Sequence, residues 1–174
     1  MRIPHGESRS RGAMTIQMAA ADHRIGQDGD MALLGQKWIP GDEKCIASAR
    51  RFVRDIANDW SAAGDVPDLA ELLTSEVVTN ALVHGAPHLP GRSTVRISVG
   101  RDGPLMTVDV YDSCIAVPHM RTAGSMETSG RGLAIVEALA CKWGWNLHRQ
   151  GKSVWFQLTA WPPSLPGGAL KLLA

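Results

Sequence analysis

Residues 71–85 read ELLTSEVVTNALVHG, and the fold turns on what this stretch does. At about 100° per residue, a helix gathers Leu69, Leu72, Leu73, Val77 and Ala81 into one half of its circumference. Glu76, Asn80 and His84 fall inside the same arc, one turn apart, while Glu71, Thr74 and Ser75 lie outside it. The inward stripe is therefore apolar in its first half and polar in its second. Burying an unpaired carboxylate costs on the order of several kcal/mol. Either this end of the helix emerges into water, or something meets Glu76: a cation, a ligand or another side chain. Val78 and Leu82 sit on the outer side of this wheel, to pack under a neighbouring helix or to mark a partner surface.

The flanking sequence supplies the rest of a domain. Upstream, ALLGQKWI (32–39) is a strand stopped by Pro40 and Gly41, and Asp42 suits a helix N-cap. Cys45, Ile46, Ala49, Phe52, Val53, Ile56, Ala57 and Trp60 then recur at helical spacing. SAAGDVPD breaks that helix, and Pro67 or Asp68 opens the next one, which runs to His84. Downstream, STVRISV and LMTVDVYD alternate as two strands joined by RDGP, with Met106, Val108, Val110 and Asp112 on one side. A loop of roughly a dozen and a half residues follows, longer than usual and of the kind that is often functional. GRGLAIVEALA reads as loop and short helix; KWGWNLHR and KSVWFQLTA read as a closing hairpin turned at QG. The order β, α, α, β, β, loop, α, β, β groups the helices. It implies an α+β fold: a two-layer sandwich with helices on one face of a mixed, mostly antiparallel sheet.

Residues 1–31 are rich in Gly, Arg, Ser, Asp and Ala without a period, and are expected to be a disordered or weakly ordered arm. The ordered domain is expected over 32–160, and 161–174, with its prolines and glycine pair, as a tail. The net charge of +1 on 174 residues gives no electrostatic case for nucleic acid or an anionic membrane. There is no apolar run of membrane-spanning length, and the N-terminal stretch is a poor signal peptide. Cys45, Cys114 and Cys141 lack metal-ligand spacing; they read as reduced, small, buried side chains of a cytoplasmic protein. Of Trp38, Trp60, Trp143, Trp145, Trp155 and Trp161, most are expected to pack in the core or on the sheet, and one or two to serve an interface.

Two further features carry chemistry. Asp112 ends an apolar strand face with a carboxylate, which turn chemistry alone would also explain. SGRGLAIV places Gly130 and Gly132 around Arg131 at a helix start, where free N–H groups and a cation suit a phosphate; an isolated G-x-G is equally an ordinary turn.

Taken together and in this order, residues 33–160 resemble the GHKL nucleotide-binding superfamily (the Bergerat fold), and within it the RsbW-type anti-sigma-factor serine/threonine kinases of bacteria. ELLTSEVVTNALVHG is similar to that family's N-box, VDVYDS to its adenine-binding strand, SGRGLAIVEALACKWG to its second glycine box, and GKSVWFQL to its closing strand. The resemblance implies ATP and Mg²⁺ as cofactors. It implies that Asn80 offers an amide oxygen to Mg²⁺, that Glu76 accepts the proton of an attacking hydroxyl, and that Asp112 accepts a hydrogen bond from the adenine amine. Ser153 would assist at the base, and Gly130, Arg131 and Gly132 would hold the phosphates. The chain departs from the superfamily in reading DSCIA where D-x-G-x-G is common. The partners implied are a sigma factor and a STAS-domain antagonist, with a homodimer in keeping. The alternatives are a non-catalytic binding regulator on the same fold and, weakly, an acetyltransferase suggested by GRGLA.

Overall fold

The computed structural model describes residues 31–85, 94–113 and 132–163, with the side chains of residues 84 and 85 outside that description. Its elements are β1 (Ala32–Pro40), a 3-10 turn (Glu43–Cys45), α1 (Ile46–Asp59), α2 (Val66–Gly85), β2 (Thr94–Asp102), β3 (Leu105–Asp112), α3 (Gly132–Leu139), β4 (Lys142–His148) and β5 (Gly151–Thr159). This is the expected order. Asp42 caps as anticipated, but it caps the short turn that leads into α1, its side chain accepting from Lys44 N at 2.9 Å.

The strands form one sheet in the order β1-β2-β3-β5-β4. All four pairings are antiparallel, so the sheet is antiparallel throughout the described residues rather than mixed. The last hairpin inserts β5 beside β3 and leaves β4 at the edge. Alternation then assigns two faces. The inner face carries Val95, Ile97, Val99, Met106, Val108, Val110, Val154, Phe156 and Leu158, all buried beneath the helices with Ala49, Val53, Ala57, Leu73 and Val77. Removing such apolar surface from water, at about 25 cal/mol per Å², is what drives the two layers together.

Helix α2 differs in one respect from the expected stripe. Its buried positions are Val66, Pro67, Ala70, Leu73, Thr74, Val77, Val78 and Ala81, whereas Leu72 is exposed. The buried arc is rotated toward Thr74 and Val78 because α2 packs on α1 as well as on the sheet. Arg50 and Arg54 of α1 reach Glu71, and Arg54 also reaches Asp68, at the rim of that helix pair. Glu76 and Asn80 consequently stand half-buried on the flank of the arc, the side toward α3.

Most of the tryptophans pack in the core or on the sheet, as expected. Trp143, Trp145 and Trp161 pack partly against the core. Trp60 does not complete the α1 stripe: it is exposed beyond the helix end, and its carbonyl accepts from Trp161 Nε1 at 2.8 Å. Trp38 is exposed on the outer sheet face. Cys45 is half-buried and Cys141 exposed, both as free thiols, so neither is the sealed side chain anticipated; Cys114 lies outside the described residues. No helix among the described residues is long and apolar enough to cross a membrane.

Candidate functional site

Two juxtapositions build the site. The first joins α2 to the start of α3. A Cβ placed on Gly132 would lie 2.7 Å from Glu76 Oε2 and 3.5 Å from Glu76 Cβ. The second glycine of G-R-G therefore lets the N-terminus of α3 press against the α2 carboxylate, a closeness that alanine would disturb. One turn further along α2 is Asn80. Its Nδ2 is sealed from solvent with no hydrogen-bond partner among the described residues. Native interiors rarely leave such an atom unsatisfied, so it marks a place where a ligand or water belongs. A half-turn of the amide would offer the oxygen there instead.

The second juxtaposition is at the end of β3. Asp112 is buried on the inner face, continuing the row of Met106, Val108 and Val110 as anticipated. Its partner across the strand pair is Lys152 of β5, whose Nζ donates to Asp112 Oδ1 at 3.0 Å. Both side chains are almost wholly buried, at 1% and 4% exposure. Sequence reasoning missed Lys152. It also missed Gly151, where a Cβ would overlap the Asp112 carbonyl oxygen and crowd the Tyr111 ring. Tyr111 Oη donates to the Gln150 carbonyl at 2.7 Å, so the β4–β5 turn is tied down beside Asp112.

Ser153 is not part of this cluster. It pairs across from Tyr111, one step along from Lys152, and a single step turns a side chain to the opposite face. There it meets His148 Nε2 at 3.0 Å and donates to the buried Asp109. Ser153 thus does not share the face of Asp112; the place opposite Asp112 belongs to Lys152. Gly130 and Arg131, and the long loop before them, lie outside the described residues, as does the side chain of His84.

The outer face holds a cluster of its own. Arg96 stands 4.0 Å from Asp109, with its guanidinium 5.0 Å from the centre of the Tyr111 ring and 5.8 Å from that of Trp38. Burial pushes the Asp109 carboxyl above the usual aspartate range; the Ser153 hydrogen bond, Arg96 and His148 pull it part of the way back.

A family model described as the histidine kinase-like ATPase domain matches residues 39–158, which takes in both juxtapositions. The chain belongs to the histidine kinase-like ATPase domain family. Among solved structures it is similar to the RsbU and RsbW domains of Rv1364c from Mycobacterium tuberculosis, at 16% identity and a TM-score of 0.54. That match covers 72% of this chain and 32% of the other, so the chain spans about a third of that structure's length. It is also similar to the histidine kinase domain from the Erythrobacter litoralis EL346 blue-light activated histidine kinase, at 18% identity and a TM-score of 0.45, covering 70% and 66% of the two chains. No curated protein matches the chain in sequence. At 16% identity the likeness to the first of these structures speaks to the fold alone.

Membership in this ATPase family implies that ATP binds, and the two ends of the site fit it differently. The Glu76–Asn80–Gly132 end suits phosphates with a hard cation: one carboxylate, one amide and a helix start, the remaining ligands being phosphate oxygens and water. No group of three or more metal-ligating His, Cys, Asp or Glu side chains exists among the described residues. At the other end Asp112 offers a buried carboxylate whose Oδ1 already accepts from an ammonium. A hydrogen bond to a charged group contributes about 1.5–3 kcal/mol, whereas breaking a buried ion pair costs about 3–5 kcal/mol. A purine amine has to share Asp112 with Lys152 or displace it.

Proposed function

We propose that this domain binds Mg-ATP and transfers its γ-phosphoryl group to a serine or threonine of a STAS-domain antagonist, while also sequestering a sigma factor. The observation that carries the reading is the contact of Gly132 with Glu76, one turn from the unsatisfied Asn80 amide. It puts a carboxylate, an amide and a helix N-terminus together, which is what in-line phosphoryl transfer asks of a protein.

In this reading Glu76 accepts the proton of the attacking hydroxyl, and its approach to Gly132 fixes the carboxylate next to the phosphate end. Asn80 supplies an amide oxygen to Mg²⁺, and the start of α3, with Gly130, Arg131 and Gly132, holds the phosphate oxygens. When bound, Mg²⁺ would neutralise charge on those oxygens, in a reaction catalysed mainly by positioning and electrostatics. Asp112 accepts from the adenine amine. The partners are proteins in the cytoplasm, and a homodimer is in keeping with the exposed Trp38.

The decisive experiment is phosphate transfer from labelled ATP to a panel of STAS domains, run with the wild type and with Glu76→Ala and Asn80→Ala. Transfer by the wild type, lost in Glu76→Ala while ATP still binds, supports the kinase. ATP binding without transfer to any domain of the panel favours a second reading, a regulator that acts by protein contact alone. The Asp112–Lys152 pair lends that alternative support, because it opposes tight binding of the base.

A further inference from the structure

We infer that Lys152 is an intramolecular competitor for the purine: it occupies Asp112 in the nucleotide-free chain, and thereby sets both the affinity of the site and its ability to recognise the base amine. The inference rests on the reading of Asp112 as the base-contacting acid.

Three observations support it. The two residues are direct cross-strand partners on the inner face, so the ammonium reaches Oδ1 without any rearrangement of the backbone. Both groups are buried, so water screens their attraction little and does not compete for the carboxylate. The backbone on either side of the pair is also held. Gly151 lies against the Asp112 carbonyl, and Tyr111 is hydrogen-bonded to the Gln150 carbonyl, so the hairpin cannot carry Lys152 away by swinging as a unit. The ammonium leaves only by rotation of its own side chain. A site whose competent state is a minor one binds with an affinity reduced by the population of that state. The exocyclic amine of adenine and the lysine ammonium are both donors, and they seek the same carboxylate, of which Lys152 holds Oδ1.

Lysine at position 152 therefore weakens adenine-nucleotide binding and blurs the distinction between a base that carries the amine and one that does not. Removing the ammonium while keeping the chain's bulk frees Asp112 Oδ1 for the base. Lys152→Met is the direct variant. Lys152→Gln, which keeps a neutral donor for the carboxylate, serves where the methionine variant folds poorly. Lys152→Arg keeps the cation.

The test measures calorimetric binding of Mg-ATP, and of Mg-ITP, which has an oxygen in place of the amine, together with thermal unfolding with and without each nucleotide. The expected result is that Lys152→Met melts below the wild type when free and binds ATP at least tenfold tighter. Its preference for ATP over ITP should grow by a similar factor, with Lys152→Gln between and Lys152→Arg close to the wild type. A purely structural lysine would lower the melting temperature without altering the ATP-to-ITP ratio, and that result overturns the inference. Unchanged or weaker ATP binding in both neutral variants also overturns it while leaving the ATP site standing. Folded wild-type and variant proteins that all fail to bind ATP overturn the nucleotide reading, and the inference with it.

Discussion

Asp109 and Asp112 are the same residue type on the same strand, three positions apart and both buried, yet they sit in opposite electrostatic settings. The odd spacing puts them on opposite faces of the sheet. Asp112 looks inward and holds a single buried ammonium at 3.0 Å. Asp109 looks outward among a hydroxyl, an imidazole and a guanidinium whose nearest nitrogen is 4.0 Å away. The inner acid lies against a close, buried counter-ion. The outer acid is stabilised in small portions, and burial still pushes its carboxyl toward the protonated form. Location on a buried strand therefore does not define an acid's chemistry; the charged and hydrogen-bonding groups around it do.

The comparison breaks most readily at the inner pair. Asp112→Ala leaves Lys152 as a buried charge and is expected to destabilise the fold by about 3–5 kcal/mol. Combining Asp112→Leu with Lys152→Met removes both charges and should recover most of that loss, which denaturant unfolding of the single and double variants would reveal. Asp109→Asn should cost far less, since a carboxyl already biased toward protonation loses little on becoming an amide. Equal losses at the two positions would erase the distinction. Next in size is Gly151→Ala, which forces a methyl group into the Asp112 carbonyl and the Tyr111 ring. Its expected cost, about 1–3 kcal/mol of overpacking, is again a denaturant measurement.

A pH titration sharpens the same contrast. The native Asp109 keeps its proton to higher pH than the unfolded chain, whose carboxyl titrates near the ordinary 3.8. The folded state thus binds more protons across the interval from 3.8 up to the raised native value, and stability falls as pH rises through it. Asp109→Asn should flatten that fall, in unfolding curves collected across the acid range. A fall of the same slope in wild type and variant would assign the effect to another group.

Much of this architecture was legible in the sequence because local signals agreed. Pro40, Gly41, the SAAGDVPD break and the alternation of Val95, Ile97 and Val99 each fix an element with its own physics. The strand order was not legible, because nothing local says that β5 inserts between β3 and β4. The α2 wheel was misjudged at Leu72, while Val78 took the first of its two expected places, under α1, because a helix packed on two neighbours buries a different arc from one lying on a sheet alone. Lys152 is the more instructive omission. Val154, Phe156 and Leu158 alternate, and that parity carried back two residues puts Lys152 on the inner face and Ser153 on the outer. The signal was present in GKSVWFQL; resemblance to a threonine-bearing strand drew attention to the hydroxyl instead.

The smallest expected effect on stability separates the two glycines as the acids are separated. Gly151 faces backbone and a ring, which cannot yield. Gly132 faces chiefly Glu76 Oε2, the free end of a flexible side chain, with Glu76 Cβ and carbonyl oxygen farther off at 3.5 and 3.7 Å. In Gly132→Ala the carboxylate moves aside, and replacing glycine at a helical position returns roughly 0.5–1 kcal/mol of backbone entropy. The folded state should change by less than about 1 kcal/mol in either direction. Phosphoryl transfer should drop by about a hundredfold if Glu76 is the base, because a misplacement of that group by about 1 Å is costly to a reaction built on positioning. Unfolding curves and transfer rates measured on the same preparation decide it. A variant as stable as the wild type and equally active would show that the carboxylate's position beside α3 is packing and not chemistry.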